Sequence, residues 1–247
     1  MTIRPKPSPR ELGPALLSLA VHELRTPATV VAGYIRMLLR LRGNTLTDEQ
    51  RKFVQGAERS CDHLTDLLAE LGDLSKLAAG SVTFRRAEVQ LFRLAEEVVA
   101  DLSIPSDRGI RFEVRGADTD AAIMGDRDWL RVALRGLFSA PLRERVEPGV
   151  LLVECALRRE AGRGLALVGA GESDAVASLL RASPSRWGSL DRLRAGLGFA
   201  LPVAKLVIDA HNGRVGSPRG PNRGAAVAVA VPLKRRPAKA TLARRNA

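Results

Sequence analysis

Aromatic side chains are scarce in this chain of 247 residues: one Tyr, two Trp and six Phe make up 4% of it. Its core must therefore rest on Leu, Val, Ala and Ile. Cysteine is limited to Cys61 and Cys155, far apart and in no metal-ligand spacing. That excludes a disulfide framework and a cysteine zinc site, and no secretory leader pattern precedes them, so both are expected to be reduced core residues. No apolar run approaches the ~18 residues of a membrane span, which points to a cytoplasmic protein without one. Lysine is also rare: it supplies six of the 39 basic residues, the rest being Arg. Residues 1–10, "MTIRPKPSPR", are Pro-rich and read as a flexible start with no room for a sensor domain.

The content that remains is that of a globular protein, 45% apolar and 27% charged, long enough for one or two domains. The formal charge is +12, and half of it lies in "KRRPAKATLARRNA", residues 234–247, with six basic residues and no acid. This segment reads as a solvated, disordered tail. The sharper alternative is a weak, sequence-independent attraction to nucleic acid or an anionic membrane.

Two regions differ in hydrophobic period. In residues 11–79, Leu17, Val21, Leu24, Ala28, Val31, Ile35 and Leu38 recur at alternating steps of four and three, a heptad seam. Gly43 and a Thr47-x-x-Gln50 capping box interrupt it. Phe53, Ala57, Ser60, Leu64, Leu67, Leu71 and Leu74 then form a second seam. Two seams joined by a short turn predict an antiparallel helical hairpin. One hairpin leaves apolar surface uncovered, so a homodimer closing a four-helix bundle is expected. Residues 80–233 mix short strands ("SVTFRRAEVQL", "IRFEVRG", "GVLLVECALRR", "GLALVGAG", "GAAVAVAVPL") with helices ("FRLAEEVVADL", "DRDWLRVALRGLFSAP", "GFALPVAKLVIDA"). That pattern predicts an α+β layered domain. The overall fold class is thus α plus α+β: a helical hairpin followed by an α/β sandwich.

Within the first seam lies "AVHELRTPATVVAGY", residues 20–34. His22 falls on the shoulder of the helix, about 100° round from Val21. Glu23 adjoins it, and Pro27 removes a backbone donor five residues on, an odd place for a helix breaker unless the site needs bending. Imidazole is a competent nucleophile near neutral pH, and a neighbouring carboxylate can take one ring proton while the other nitrogen attacks. His22-Glu23-Leu24-Arg25-Thr26-Pro27 resembles the H-box of two-component histidine kinases at every position. The resemblance implies that His22 is a phospho-acceptor, with Glu23 as its general base and Thr26 positioning water in dephosphorylation. It also implies a response-regulator receiver domain as partner, and that residues 80–233 have the histidine kinase ATPase fold with ATP and magnesium as cofactors.

The nucleotide boxes depart from that family. Its N-box reads Asn-Leu-Leu-x-Asn-Ala, whereas this chain has Gly136, Leu137, Phe138, Ser139, Ala140 and Pro141. Both asparagines are absent, and Ala140, at the position of the magnesium ligand, offers no oxygen to a hard cation. Pro141 is expected to disturb the helix. Asp126, Glu144 and Glu147 are the nearest substitute acids. The family's Asp-x-Gly-x-Gly box, whose acid holds the adenine amine, aligns with Gly169-Ala170-Gly171-Glu172-Ser173; its acid position falls on Leu167 or Gly169, depending on register. Loss of one such contact costs about 1–3 kcal/mol, roughly ten- to a hundred-fold in affinity. The last box, Arg194-Ala195-Gly196-Leu197-Gly198-Phe199, keeps two glycines at a helix start. The residual cofactor contacts are therefore Gly169, Gly171, Gly196 and Gly198, with Arg143 and Arg194 as anion attractors. Residues 177–194 read as a polar, mobile lid.

Three functions remain. One is a phosphotransferase or regulator phosphatase working through His22 with a degenerate nucleotide site. A second is an ATP-dependent kinase with an atypical site. The third is a scaffold without phosphoryl chemistry. His63 reads as a surface residue and His211, before an Asn-Gly turn, as structural.

Overall fold

The computed structural model describes residues 9–40, 46–102, 104, 108–116, 119–145, 147–190, 198–219 and 226–234, with side chains from residue 17 onward. The basic segment 235–247, Arg194 and Gly196 lie outside the described residues.

Helices α1 (Pro9–Arg40) and α2 (Asp48–Ala78) form the expected hairpin. Thr47 caps α2 as anticipated: its hydroxyl accepts from the Gln50 N–H, and the Gln50 side chain accepts from the Thr47 N–H. The packing seam, however, keeps only Val21 and Ala28 of the α1 pattern fully buried and lies one residue along from the α2 pattern, on Leu68 and Ser75 instead of Leu67 and Leu74. Val21, Ala28 and Ala32 of α1 are buried, as are Leu68 and Ser75 of α2. Leu24, Val31, Phe53 and Leu64, all assigned to the inward seams, are 46–68% exposed. Away from the start of α6, which meets α2, each hairpin helix has only the other to pack on, so many of a bundle's core positions have nothing to meet.

The second region contains β1 (Ala87–Gln90), α3 (Leu91–Ala100), β2 (Ile110–Arg115), β3 (Ala122–Gly125), α4 (Arg127–Glu144), β4 (Gly149–Glu160), β5 (Arg163–Gly171), α5 (Ser173–Arg181), α6 (Ala200–Ala210), β6 (Arg214–Gly216) and β7 (Ala226–Pro232). Five strands form one sheet in the order β2-β4-β5-β7-β6, with β2 parallel to β4 and the other pairs antiparallel. Strands β1 and β3 make a separate antiparallel pair. The sequence pattern had not isolated the four-residue β3, which is too short to display a period.

Both faces of the sheet are covered. Strand β7 alternates strictly: Val227, Val229 and Val231 join the large cluster shared with α3, α4 and α6. Ala226, Ala228 and Ala230 face α5. That alternation is the period of a strand, and the small alanines let α5 lie close. Helix α5 corrects the reading of this stretch as a mobile lid. Val176, Leu179 and Leu180 are buried on the sheet, and Trp187 is 3% exposed, its indole N–H donating to the Leu179 carbonyl at 2.8 Å. The helical spacing of Val176, Leu179 and Leu180 was a signal that the surrounding serines and arginines masked.

Helix α4 also corrects an expectation, because it continues through Pro141 to Glu144. Proline so near the end forfeits one hydrogen bond where the helix is about to stop. Asp126 caps its other end: Oδ1 accepts from the Asp128 and Trp129 amides and Oδ2 from the Arg85 amide at 2.7 Å. The Asp126 N–H donates to Nε2 of buried His211 at 2.9 Å, while His211 Nδ1 lies 2.7 Å from the Val207 carbonyl. His211 is therefore structural, as the sequence suggested. Its ring must be neutral, with the proton on Nδ1, to serve both partners.

Burial pushes the His211 pKa below its usual 6.5, and the nearby Arg86 adds to that effect against the opposing Val207 bond and Asp126. The native state thus binds fewer protons than the unfolded chain. The stabilisation is complete above 6.5 and is lost as pH falls through the lowered native value. Denaturant unfolding from about pH 8 to about pH 5 should show stability falling below the ordinary histidine value. His211→Asn should flatten that part of the slope while losing about 1–2 kcal/mol at the upper end. An unchanged slope in the variant would remove His211 as its source.

Candidate phospho-acceptor and nucleotide sites

Helix α1 carries His22, Glu23, Leu24, Arg25, Thr26 and Pro27 on an exposed stretch between buried Val21 and Ala28. Burial of Val21 against α2, where Gly72 faces its Cγ1 and the Arg25 guanidinium, sets the rotation of α1. That rotation turns His22 outward. Pro27 has no N–H for the Glu23 carbonyl, yet α1 runs on without a break to Arg40. Two turns of helix thus present an imidazole, a carboxylate and a hydroxyl to an incoming molecule. Such a surface suits transfer between proteins, since neither reactant needs to enter a cleft.

The nucleotide-box positions have a different geometry. Gly136 lies where α4 and α6 touch: a Cβ there would be 2.9 Å from the Ala200 carbonyl oxygen and 3.1 Å from its Cβ. Ala140, one turn on, is 5% exposed and packed in the core. Neither position has a side-chain oxygen. Asp126 sits 14 residues up α4 from Ala140, about 21 Å along the axis, with both oxygens engaged by backbone donors. It is a helix cap and no substitute metal ligand. Among the described residues no group of three or more His, Cys, Asp or Glu could hold a metal ion.

Gly169 and Gly171 belong to β5, pairing with Ala228 and Ala226 of β7. A Cβ on Gly169 would approach Val176 Cγ1 at 3.0 Å and Leu180 Cδ2 at 3.2 Å, so this glycine makes room for α5. Gly171, at φ +144°, turns the strand toward that helix. Leu167, the other candidate for the acid position, is buried against α5. Gly198 precedes α6 with φ +66°, a left-handed conformation that favours glycine.

Between α2 and the α4–α6 pair lies a cavity of about 460 Å³. Asp66, Glu70 and Asp73 line it from the hairpin, and Arg108, Arg135 and Arg143 from the other side. Burial pushes the Asp73 carboxyl above its usual range, against the opposing pull of Lys76 and Arg25. The sequence reading did not include Glu70, although the Asp66, Glu70, Asp73 spacing on one helical face was available. Cys155 is buried, and desolvation followed by nearby Glu96 pushes its thiol up to about 12, so it is inert. Cys61 is half-buried on α2 rather than a core residue.

The molecule thus joins an exposed histidine on a helical hairpin to a mixed sheet covered by helices. Residues 15–80 match the His Kinase A (phospho-acceptor) domain. The chain is 28% identical over 221 residues to the signal transduction histidine-protein kinase BaeS of Escherichia coli K12, covering 87% of this chain and 45% of that one. It is 26% identical over 224 residues to the circadian input-output histidine kinase CikA of Synechococcus elongatus, covering 87% and 29%. Full-length ShkA, solved in complex with AMPPNP, superposes with a TM-score of 0.63 at 25% identity, over 91% of this chain and 47% of ShkA. The chain belongs to the two-component sensor histidine kinase family. It spans less than half the length of these relatives. No described helix is long and apolar enough to cross a membrane.

The closeness of α4 and α6 makes a direct prediction. Gly136→Asn, which returns the family's residue, should lower stability by about 1–3 kcal/mol through overpacking. It should leave ATP affinity no higher than in wild type. Thermal unfolding with a nucleotide titration checks both, and a stable variant that gains ATP binding would refute the tight contact.

Proposed function

We propose that the chain carries a phosphoryl group on His22 and exchanges it with the aspartate of a response-regulator receiver domain. Glu23 accepts the ring N–H proton as the N–P bond forms and the donor's P–O bond breaks. Thr26 orients water when the regulator is dephosphorylated. The observation that carries the reading is the exposure of His22, Glu23 and Thr26 on α1, on a helix face open to a second protein. The nucleotide site is degenerate in this reading, and ATP and magnesium do not fit the residues present. Support comes from the missing oxygens at Gly136 and Ala140, the α6 backbone against Gly136, and the burial of Gly169 under α5. No step is assigned to either cofactor. The weaker alternative, an ATP-dependent kinase with an atypical site, draws on ShkA, a relative solved with AMPPNP.

The two readings separate on one assay. Protein incubated with labelled ATP and magnesium should acquire no acid-labile label above the His22→Ala blank. It should take label from a phosphorylated receiver domain, or speed release of phosphate from it, and His22→Ala should abolish both. Labelling by ATP alone would establish the kinase reading.

Working chains are homodimers in this proposal, with Leu24, Val31, Leu38 and Phe53 covered by the partner hairpin. Sedimentation should give a dimer for wild type, and Val31→Lys should weaken it by at least about tenfold by placing a charge in the bundle core. A monomeric wild type would exclude the arrangement.

A further inference from the structure

Arg25 lies three residues after His22, which puts it about 60° round α1 on the side of α2, while Thr26, four residues on, lies about 40° to the other side. A group attached to the His22 ring therefore stands between a guanidinium and a hydroxyl. The Arg25 guanidinium lies across α2 at Gly72, with Nη2 3.6 Å from where a Cβ on that residue would be. Val21 Cγ1 stands 3.5 Å from the same point, so a side chain at Gly72 would meet both. Asp73, the next residue of α2, feels the Arg25 charge without a hydrogen bond from it, and its ion pair is with Lys76 at 3.8 Å. None of the described residues accepts a hydrogen bond from the Arg25 guanidinium or pairs with it within 4.0 Å.

A planar fork of N–H donors, held beside a nucleophile and left without an acceptor, suits a phosphoryl group, which it can grip through two oxygens at once. We propose that Arg25 is a catalytic residue of phosphoryl exchange at His22, where it holds two oxygens of the moving phosphoryl group, and that Gly72 and Asp73 are positioning residues that keep it on the α2 side of the ring. This role rests on the proposed phospho-acceptor function of His22. In transfer to the ring, the donor's P–O bond breaks, its carboxylate leaves with the electron pair, the N–P bond forms and the ring N–H proton passes to Glu23. The phosphoryl group meanwhile carries its charge on the three oxygens outside both bonds, and positioning and neutralising that charge is most of what such a reaction asks of a protein. Glu23 repels the charge and Thr26 is neutral, so the cation comes from Arg25. The guanidinium makes no covalent bond, and the same contact serves the reverse transfer.

Phosphoramidate is the probe, since it phosphorylates imidazole without a partner protein: its P–N bond breaks, ammonia leaves and a new N–P bond forms at the ring. The full chain carries His63→Gln, which leaves His22 exposed and His211 buried, and His22→Ala is the blank. Phosphorus NMR follows the rate of N–P formation and the pH at which the attached phosphoryl group loses its last proton. Arg25→Gln should slow phosphorylation about tenfold or more. It should also move the phosphoryl titration up by about one unit, because a neighbouring cation favours the dianion. Arg25→Lys should return the titration towards wild type while the rate stays low, since the charge comes back and the fork does not. Gly72→Leu should act as Arg25→Gln does by crowding the guanidinium off α2, and normal values there would overturn the positioning by α2. Arg25 is exposed, so thermal unfolding should be the same with and without it, and the Arg25 variants carry the test if Gly72→Leu fails to fold. Equal rates and equal titrations in wild type and Arg25→Gln would overturn the role of Arg25 and leave His22 as the carrier. A wild type that takes no label at His22 would sink the carrier itself, and Arg25 with it.

Discussion

Helices α4 and α6 are pinned to each other at both ends, and the rest of the α+β domain is arranged around that pair. At one end the neutral ring of His211 accepts the Asp126 amide while the Asp126 carboxylate caps α4 and holds the lead-in to β1. At the other, the absence of a side chain at Gly136 lets the first residue of α6 rest on α4. The first contact is polar and buried, so it tolerates only one protonation state. The second is steric and tolerates no side chain. Together they fix where the α6 N-terminus emerges, and that terminus is what meets Glu70 of the hairpin.

The same close contact bears on the chemistry. A nucleotide site of this family needs oxygen ligands on α4, an acid at the end of β5 and a glycine-flanked start to α6. In this chain the first position is pressed against α6, the second is an apolar strand beneath α5, and the third holds a carboxylate. The face of α1 that carries His22, the proposed phospho-acceptor, depends on none of these features. Its residues are set by the rotation of the hairpin alone, so the two halves of the molecule can differ in how much of the family's chemistry they retain.

Much of the fold was legible because its elements carry strong periods. The hairpin, its Thr47 cap, α4 beginning behind Asp126 and the alternation of β7 were all visible in the order of residues. What escaped had weak or masked periods. Strand β3 is four residues long and gains its identity only from pairing with β1. Helix α5 has just three buried apolar residues among serines and arginines. The expected α2 seam marks a face that is largely exposed, while Leu68 and Ser75 beside it pack inward, because spacing does not say which face meets the intramolecular neighbour.

By itself the sequence determined where the His22–Pro27 hexamer lies, the helical period around it and which residues stand at the nucleotide-box positions, since each is a matter of residue type and spacing along one element. Only the tertiary structure decided that Gly136 is filled by the α6 backbone, that Gly169 serves α5, and that Glu70 stands at the start of α6. These are contacts between segments from about 7 to about 130 residues apart in the chain, and their distances follow from how whole helices pack rather than from any local pattern.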